Sequence, residues 1–188
     1  MFSTLKALSG FTLALLMYLV ALNAYAQALG EDTLKALYSY KFALFTDWPV
    51  TKLNDSNNTF GFCIIGRNPF GQAALGTIQD KPVKNKPIQI EVFNSGVLSE
   101  ASLNHCHIAY ISHSESQNLP TLLNTLQALP ILTISDISNF SAHGGMITLV
   151  KSGEHIQFQI NPNAVNETGL SISSKIIELA TLVNTTPH

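Results

Sequence analysis

Four apolar stretches, at residues 60–65, 88–93, 107–112 and 131–135, recur along the chain with helical or loop segments between them. Strands spaced in this way cannot be hairpin partners, which are joined over about two to five residues. Within them, CII and ILTI are apolar on successive positions, so both faces are expected to be buried, as in a parallel sheet. Helices are expected near residues 70–77 and 119–129, and a turn or short helix near 98–104. The expected fold class is therefore α/β: a three-layer sandwich around a mixed, mostly parallel sheet.

Both ends of this pattern extend it. In EDTLKALYSYKFALFTDWP, Leu34, Leu37, Tyr38, Phe42 and Phe45 fall on one helical stripe, with Asp32 as the expected N-cap and Pro49 as the stop. The segment VTKLNDSNNT that follows reads as a polar loop. Further on, SAHGGMITLVKSGEHIQFQI places a histidine and two glycines ahead of an apolar run. A phosphate loop needs its glycines after a strand and before a helix, and here the order is reversed. The stretch reads instead as a short helix over 138–143 with Gly144 as its left-handed cap, then an antiparallel hairpin of strands 146–150 and 155–160. Two helices are expected in the tail, the first ended by Gly169 and the second opening at Ser171 or Ser173.

The chain opens MFSTLKALSGFTLALLMYLVALNAYAQA. Lys6 supplies a positive n-region, residues 11–22 an apolar h-region and Ala24-Tyr25-Ala26 a small-x-small cleavage pattern, which together describe a secretory signal peptide. The apolar core is about a dozen residues, short of the roughly 20 that span a bilayer. Residues 1–26 are read as a signal peptide cleaved after Ala26, and residues 27–188 as a single α/β domain exported from the cytoplasm. Ten Lys and Arg against twelve Asp and Glu give a net charge of −2, and the one basic grouping is the loop of Lys81, Lys84 and Lys86. That balance argues against nucleic acid as a partner.

Several groups invite a chemical reading. Cys63 and Cys106 sit in or beside the apolar runs FGFCIIG and NHCHIAYIS, and an even pair in an exported chain is expected as a disulfide, with a redox-active pair as the alternative. If His105 and His107 lie on one strand they share a face and could hold a metal, with His113 or His155 as a third ligand. No carboxylate or thiolate falls at a diagnostic spacing, so neither a metal nor any other cofactor is expected. Ser135, Asp136 and His143 supply the residue types of a hydrolase triad, but no Gly-x-Ser-x-Gly elbow is present, and SDISNFS also suits caps and turns. GRNPFG leaves the first strand and enters a helix, the place where open α/β sheets bind ligands. Arg67, the chain's single arginine, and Asn68 there, with Ser135 and Asp136, are the candidate ligand-binding residues for a small anion. A plain surface turn with Pro69 at the helix start fits GRNPFG as well.

Taken in order, LKALYSYKFALFTDWP, FCIIGRNPFG, CHIAYIS, ILTISD, GGMITLV and FQINPNAVNETGLSISSKIIELA resemble the YfiR-like family of bacterial periplasmic regulators. Lys41 and Thr148 depart from it at positions where the family commonly has asparagine. The resemblance implies an α/β protein that forms a homodimer and is not an enzyme. It would bind and repress the periplasmic sensor domain of a membrane-bound diguanylate cyclase, lowering cyclic di-GMP and biofilm formation. The alternative from the residues themselves is a periplasmic small-molecule binding module of a signalling or transport system.

Overall fold

The structure, a computed structural model, describes residues 30–54, 58–153 and 155–184. The expected signal peptide and its cleavage site lie outside the described residues. In chain order the elements are α1 (Gly30–Leu44), β1 (Thr46–Asp47), α2 (Val50–Leu53), β2 (Phe60–Ile65), α3 (Gln72–Gln79), β3 (Ile88–Phe93), α4 (Glu100–Leu103), β4 (Cys106–Ile111), α5 (Leu119–Leu126), β5 (Leu132–Ser135), β6 (Ile147–Ser152), β7 (His155–Ile160), α6 (Pro162–Glu167), β8 (Ser171–Ile172), α7 (Ser174–Ile177) and β9 (Thr181–Leu182).

A seven-stranded sheet runs β3-β2-β4-β5-β6-β7-β9. The first five of these are parallel, β6 and β7 form the antiparallel hairpin, and β9 runs parallel to β7. The expected mixed, mostly parallel α/β sheet is what the chain forms. Strand β2 shows why it is sandwiched. Phe60, Phe62 and Ile64 point into one apolar cluster with Phe42 of α1 and Ala74 and Ile78 of α3. Cys63 and Ile65 point into a second, with Leu119, Leu122, Leu123 and Leu126 of α5. Period-two alternation gives each face of the strand its own helical cover.

Some local expectations give way to tertiary demands. α1 buries Ala36, Ser39, Phe42 and Ala43, whereas Leu34 and Phe45 are exposed and Leu37 and Tyr38 are half-buried. Small side chains on the inner stripe let α1 lie close beside α3. Asp32 sits inside the first turn rather than capping it, and the helix stops at Leu44, well before Pro49. There Thr46 Oγ1 donates back to the Phe42 carbonyl at 2.8 Å, and the chain turns out to pair β1 with β8. The expected loop after Pro49 begins with the single helical turn α2.

The helix expected over 138–143 is a run of turns. Asn139 takes a left-handed φ of 60°, which interrupts α-helical geometry, and Ser141 N–H donates to Thr148 Oγ1 of β6 at 2.8 Å. Gly144 has the expected left-handed φ, 103°, but closes these turns rather than a helix, and a side chain at Gly145 would overlap the buried Phe140 ring. These glycines fit the corner onto the core and then open the β6–β7 hairpin. In the tail, Gly169 (φ 74°) follows α6 and Ser173 precedes α7, with the short β8 between them.

Candidate functional site

In the strand order β3-β2-β4-β5 the chain leaves β2 toward one side and later returns to its other side, so the C-terminal ends of β2 and β4 flank a topological switch point. The residues there are Gly66 and Arg67 after β2, and Ser112 to Glu115 after β4. Gly66 has φ 92°, and a side chain on it would run into Ser114 and Glu115. The Arg67 backbone N–H donates to Ser114 Oγ at 3.0 Å, Ser114 Oγ donates to Glu115 Oε1 at 3.1 Å, and Asn118 Nδ2 donates to Glu115 Oε2 at 3.3 Å. Glu115 is buried. Burial alone would raise its pKa, but hydrogen bonds from Ser95, Asn118 and Ser114 outweigh that and hold it below the usual carboxylate value. The crevice that such folds offer to a ligand is here filled by the chain's own carboxylate.

The four ligand candidates separate into two pairs. Arg67 and Asn68 follow β2, Ser135 and Asp136 close β5, and β4 runs between them. Arg67 is exposed, and its guanidinium makes no hydrogen bond or ion pair among the described residues. Asn68 Oδ1 accepts from the Phe70 N–H at 2.8 Å, a turn that sets up α3. Ser135 is fully buried, donating to the Ile111 carbonyl at 2.7 Å and accepting from the Ile137 N–H at 3.0 Å.

Asp136 differs from these. Its Oδ2 takes the Lys35 ammonium at 2.8 Å, and Lys35 also reaches Glu31 Oε1 at 2.8 Å. Lys151 of β6 closes onto Glu31 Oε2. Lys151 and then Lys35 hold the Glu31 carboxyl down at about 2 against its burial. Burial disfavours the Lys35 ammonium, yet its bonds to Asp136 and Glu31 leave its pKa raised. Beneath this ladder the Tyr110 hydroxyl and Asp136 Oδ1 are both buried with no hydrogen-bond partner among the described residues. Burial, reinforced by the Asp136 charge, pushes the Tyr110 phenol far above its usual range, so it stays neutral. Alongside lies a crevice of about 390 Å³ lined by Asp136, Ser138, Asn139, Thr148, Lys151 and Gln159. Lys35, Tyr110 and Lys151 were not singled out from the sequence, where only the i,i+4 spacing of Glu31 and Lys35 hints at the ladder.

The histidine expectations are corrected. The register shifts between Gly61 and Phe62: Cys106 is opposite Gly61 and Ile108 opposite Phe62, so β4, which starts at Cys106, carries an extra residue at His107 and its alternation shifts there. His107 lies buried on the α1 side, stacked 4.5 Å from the Phe60 ring, with Nδ1 accepting from the Gly61 N–H at 3.0 Å. His105 lies on the other side, its Nε2 3.0 Å from Glu91 Oε2. The two do not share a face. His143 Nδ1 is 2.8 Å from the Asn139 carbonyl, and the Ser135 hydroxyl is spent on backbone bonds, so no Ser/His relay forms between them. Cys63 and Cys106 form a disulfide with Cα atoms 5.7 Å apart, joining neighbouring strands β2 and β4. In the chain-entropy picture a loop of that length stabilises the fold by about 4 kcal/mol.

Among the described residues no helix is long and apolar enough to cross a membrane. No curated protein matches the chain. The YfiR/HmsC-like family model matches residues 32–181, which run from the first turn of α1 into β9 and so take in the whole sheet and both its covering layers. The chain therefore belongs to the YfiR/HmsC-like family.

Proposed function

We propose that this protein is a periplasmic, non-catalytic regulator that binds the sensor domain of an inner-membrane diguanylate cyclase and represses it, lowering cyclic di-GMP. The observation that carries this reading is family membership over nearly all of the folded chain. The signal-peptide pattern of residues 1–26 agrees with it, because an exported protein meets such an enzyme only on its outer face. The surface supports binding to another protein. Phe45, Leu179 and Leu182 are 41%, 73% and 53% exposed, and the Ser173 N–H ties the tail to the Phe45 carbonyl at 2.8 Å. Apolar side chains left in water in this way suit an interface, including one between two copies of the chain.

Deleting the gene should raise cyclic di-GMP and biofilm formation in cells that express the cognate cyclase. The full chain should restore repression, and a version lacking residues 1–26 should fail to. Unchanged cyclic di-GMP on deletion, or equal repression by the unexported version, would overturn the reading. The crevice beside Asp136 favours a second role, binding a small polar ligand at the strand ends. The four residues read from the sequence as contacts for a small anion do not meet there: only Asp136 lines the crevice, and the exposed Arg67 beyond β2 is the one proposed anion contact among them. A ligand that prefers one state of the regulator would shift its grip on the cyclase.

A further inference from the structure

The two sulfurs of the disulfide have a third neighbour. His105 Nε2 lies 3.9 Å from Cys63 Sγ and 4.0 Å from Cys106 Sγ, and the same nitrogen lies 3.0 Å from Glu91 Oε2. Cys63, His105 and Cys106 offer ligand atoms that all fall within 4.8 Å of one another. We propose that, once the disulfide is reduced, Cys63, Cys106, His105 and Glu91 form a four-coordinate site for Zn²⁺.

The spacing supports this. Tetrahedral zinc with its ordinary bond lengths sets sulfur and nitrogen ligands about 3.6 Å apart and nitrogen and oxygen ligands about 3.4 Å apart. His105 Nε2 already stands within a few tenths of an ångström of those separations from both sulfurs and from the carboxylate. The sulfurs must part, by side-chain rotation after the S–S bond is broken, and the Glu91 carboxylate, which stands beside His105 but outside the 4.8 Å cluster of the other three, must swing toward them. The ligand types also suit the cation: two thiolates, one neutral imidazole and one carboxylate are all zinc donors.

Outer contacts keep the carboxylate beside His105. Gln89 Nε2 donates to Glu91 Oε1 at 2.6 Å, which leaves Oε2 facing His105, and Thr59 Oγ1 is 3.1 Å from Gln89 Oε1. Such chains orient metal ligands. There is also a way in. Both cysteines are fully buried, but the His105 and Glu91 side chains are 24% and 35% exposed, so a cation from solvent meets these two first and the sulfurs behind them.

The chemistry balances in two steps. A dithiol reductant transfers two electrons and two protons to the disulfide and leaves as a disulfide itself, giving two thiols. Zn²⁺ then displaces the two thiol protons and binds both thiolates. Because the same sulfurs make either the bridge or the site, metal is excluded from the oxidised protein.

This inference does not rest on the regulatory reading, and its test uses no signalling output. Co²⁺ serves as the spectroscopic probe on the exported protein, with a phosphine as reductant so that no competing thiol is present. The reduced protein should take up one Co²⁺ per chain with thiolate-to-cobalt charge-transfer absorption and the strong visible bands of four-coordination, and Zn²⁺ should displace it. The oxidised protein should show neither band. Gln89→Ala should weaken binding about 10-fold, and His105→Ala and Glu91→Gln should each weaken it by about 100-fold. A reduced, folded protein without the charge-transfer band, or full affinity in both ligand variants, would overturn the site. Far-UV circular dichroism covers the case in which reduction unfolds the chain. Zn²⁺ should then restore the native spectrum in the unaltered protein and not in His105→Ala, and restoration in both or in neither would refute the proposal.

Discussion

Two carboxylates at the C-terminal rim of the sheet, Glu115 at the β2/β4 switch point and Asp136 at the end of β5, are satisfied by different means. Glu115 is surrounded by neutral donors from Ser95, Ser114 and Asn118, and its crevice is closed by close packing against Gly66. Asp136 faces the Lys35 ammonium within a ladder of alternating charge, and an open crevice lies beside it. Short-range hydrogen bonds from serine and asparagine suit a finished plug. A charged ladder with Asp136 and Lys151 on the wall of an open crevice suits a place where something further can bind. In a family where activity means binding, the second region is the one to probe for ligands.

Lys35→Ala should have the largest effect on this contrast. It leaves Asp136 largely buried without its cation, and Glu31 with only Lys151, at a cost of about 3 kcal/mol in urea unfolding. A loss below about 1 kcal/mol would mean that water already screens the end of β5 and that the two carboxylates differ less than their partners suggest.

Glu115→Gln should cost less, about 1–2 kcal/mol, because the shape is kept while the charge-assisted bonds weaken. It should also change the acid response. A carboxyl whose folded pKa is depressed contributes stability that is present above its unfolded pKa and lost as pH falls through the folded one. Glu31, held at about 2 against an ordinary 4.5, and Glu115 both act in this direction, so stability should fall as pH drops below about 5. Glu115→Gln should flatten part of that decline, and Lys151→Ala another part. Identical slopes in all three proteins, followed by unfolding midpoints across the acid range, would remove these carboxylates from the pH response.

Arg67→Ala should have the smallest effect, within about 0.5 kcal/mol on stability, because the side chain is exposed. Calorimetry with inorganic phosphate separates the two regions. Weaker phosphate binding in Arg67→Ala would place the proposed anion contact near β2, and weaker binding in Lys151→Ala would place it beside Asp136.

The framework was legible where local pattern and global packing agree. β2 and β3 begin and end where the apolar runs do, because each is bounded by polar or turn residues; β2 is buried on both faces, whereas the edge strand β3 leaves Val92 exposed. β4 was read one residue late, and its extra residue at His107, which puts His105 and His107 on opposite faces, is a property of two strands together, invisible in either alone. Residues 138–143 look helical in isolation, but Asn139's left-handed backbone and the buried Ser141–Thr148 contact serve the β6 junction. The site was less legible than the fold. Lys35 and Asp136 stand 101 positions apart, and no local spacing announces an ion pair at that distance. The disulfide was readable because cysteines are few and their chemistry narrows the choices.

That disulfide also has a mechanical meaning. It closes a covalent ring of 43 positions between β2 and β4, and the ring contains all of α3, β3 and α4. If the oxidised chain is pulled from its two ends, force passes across the S–S bond and never along those three elements. Stretched in this way it would reach about 150 Å less than the reduced chain, at roughly 3.5 Å per residue. Strand β3, at the open edge of the sheet, can then be freed sideways but cannot be drawn out lengthwise by tension on either end.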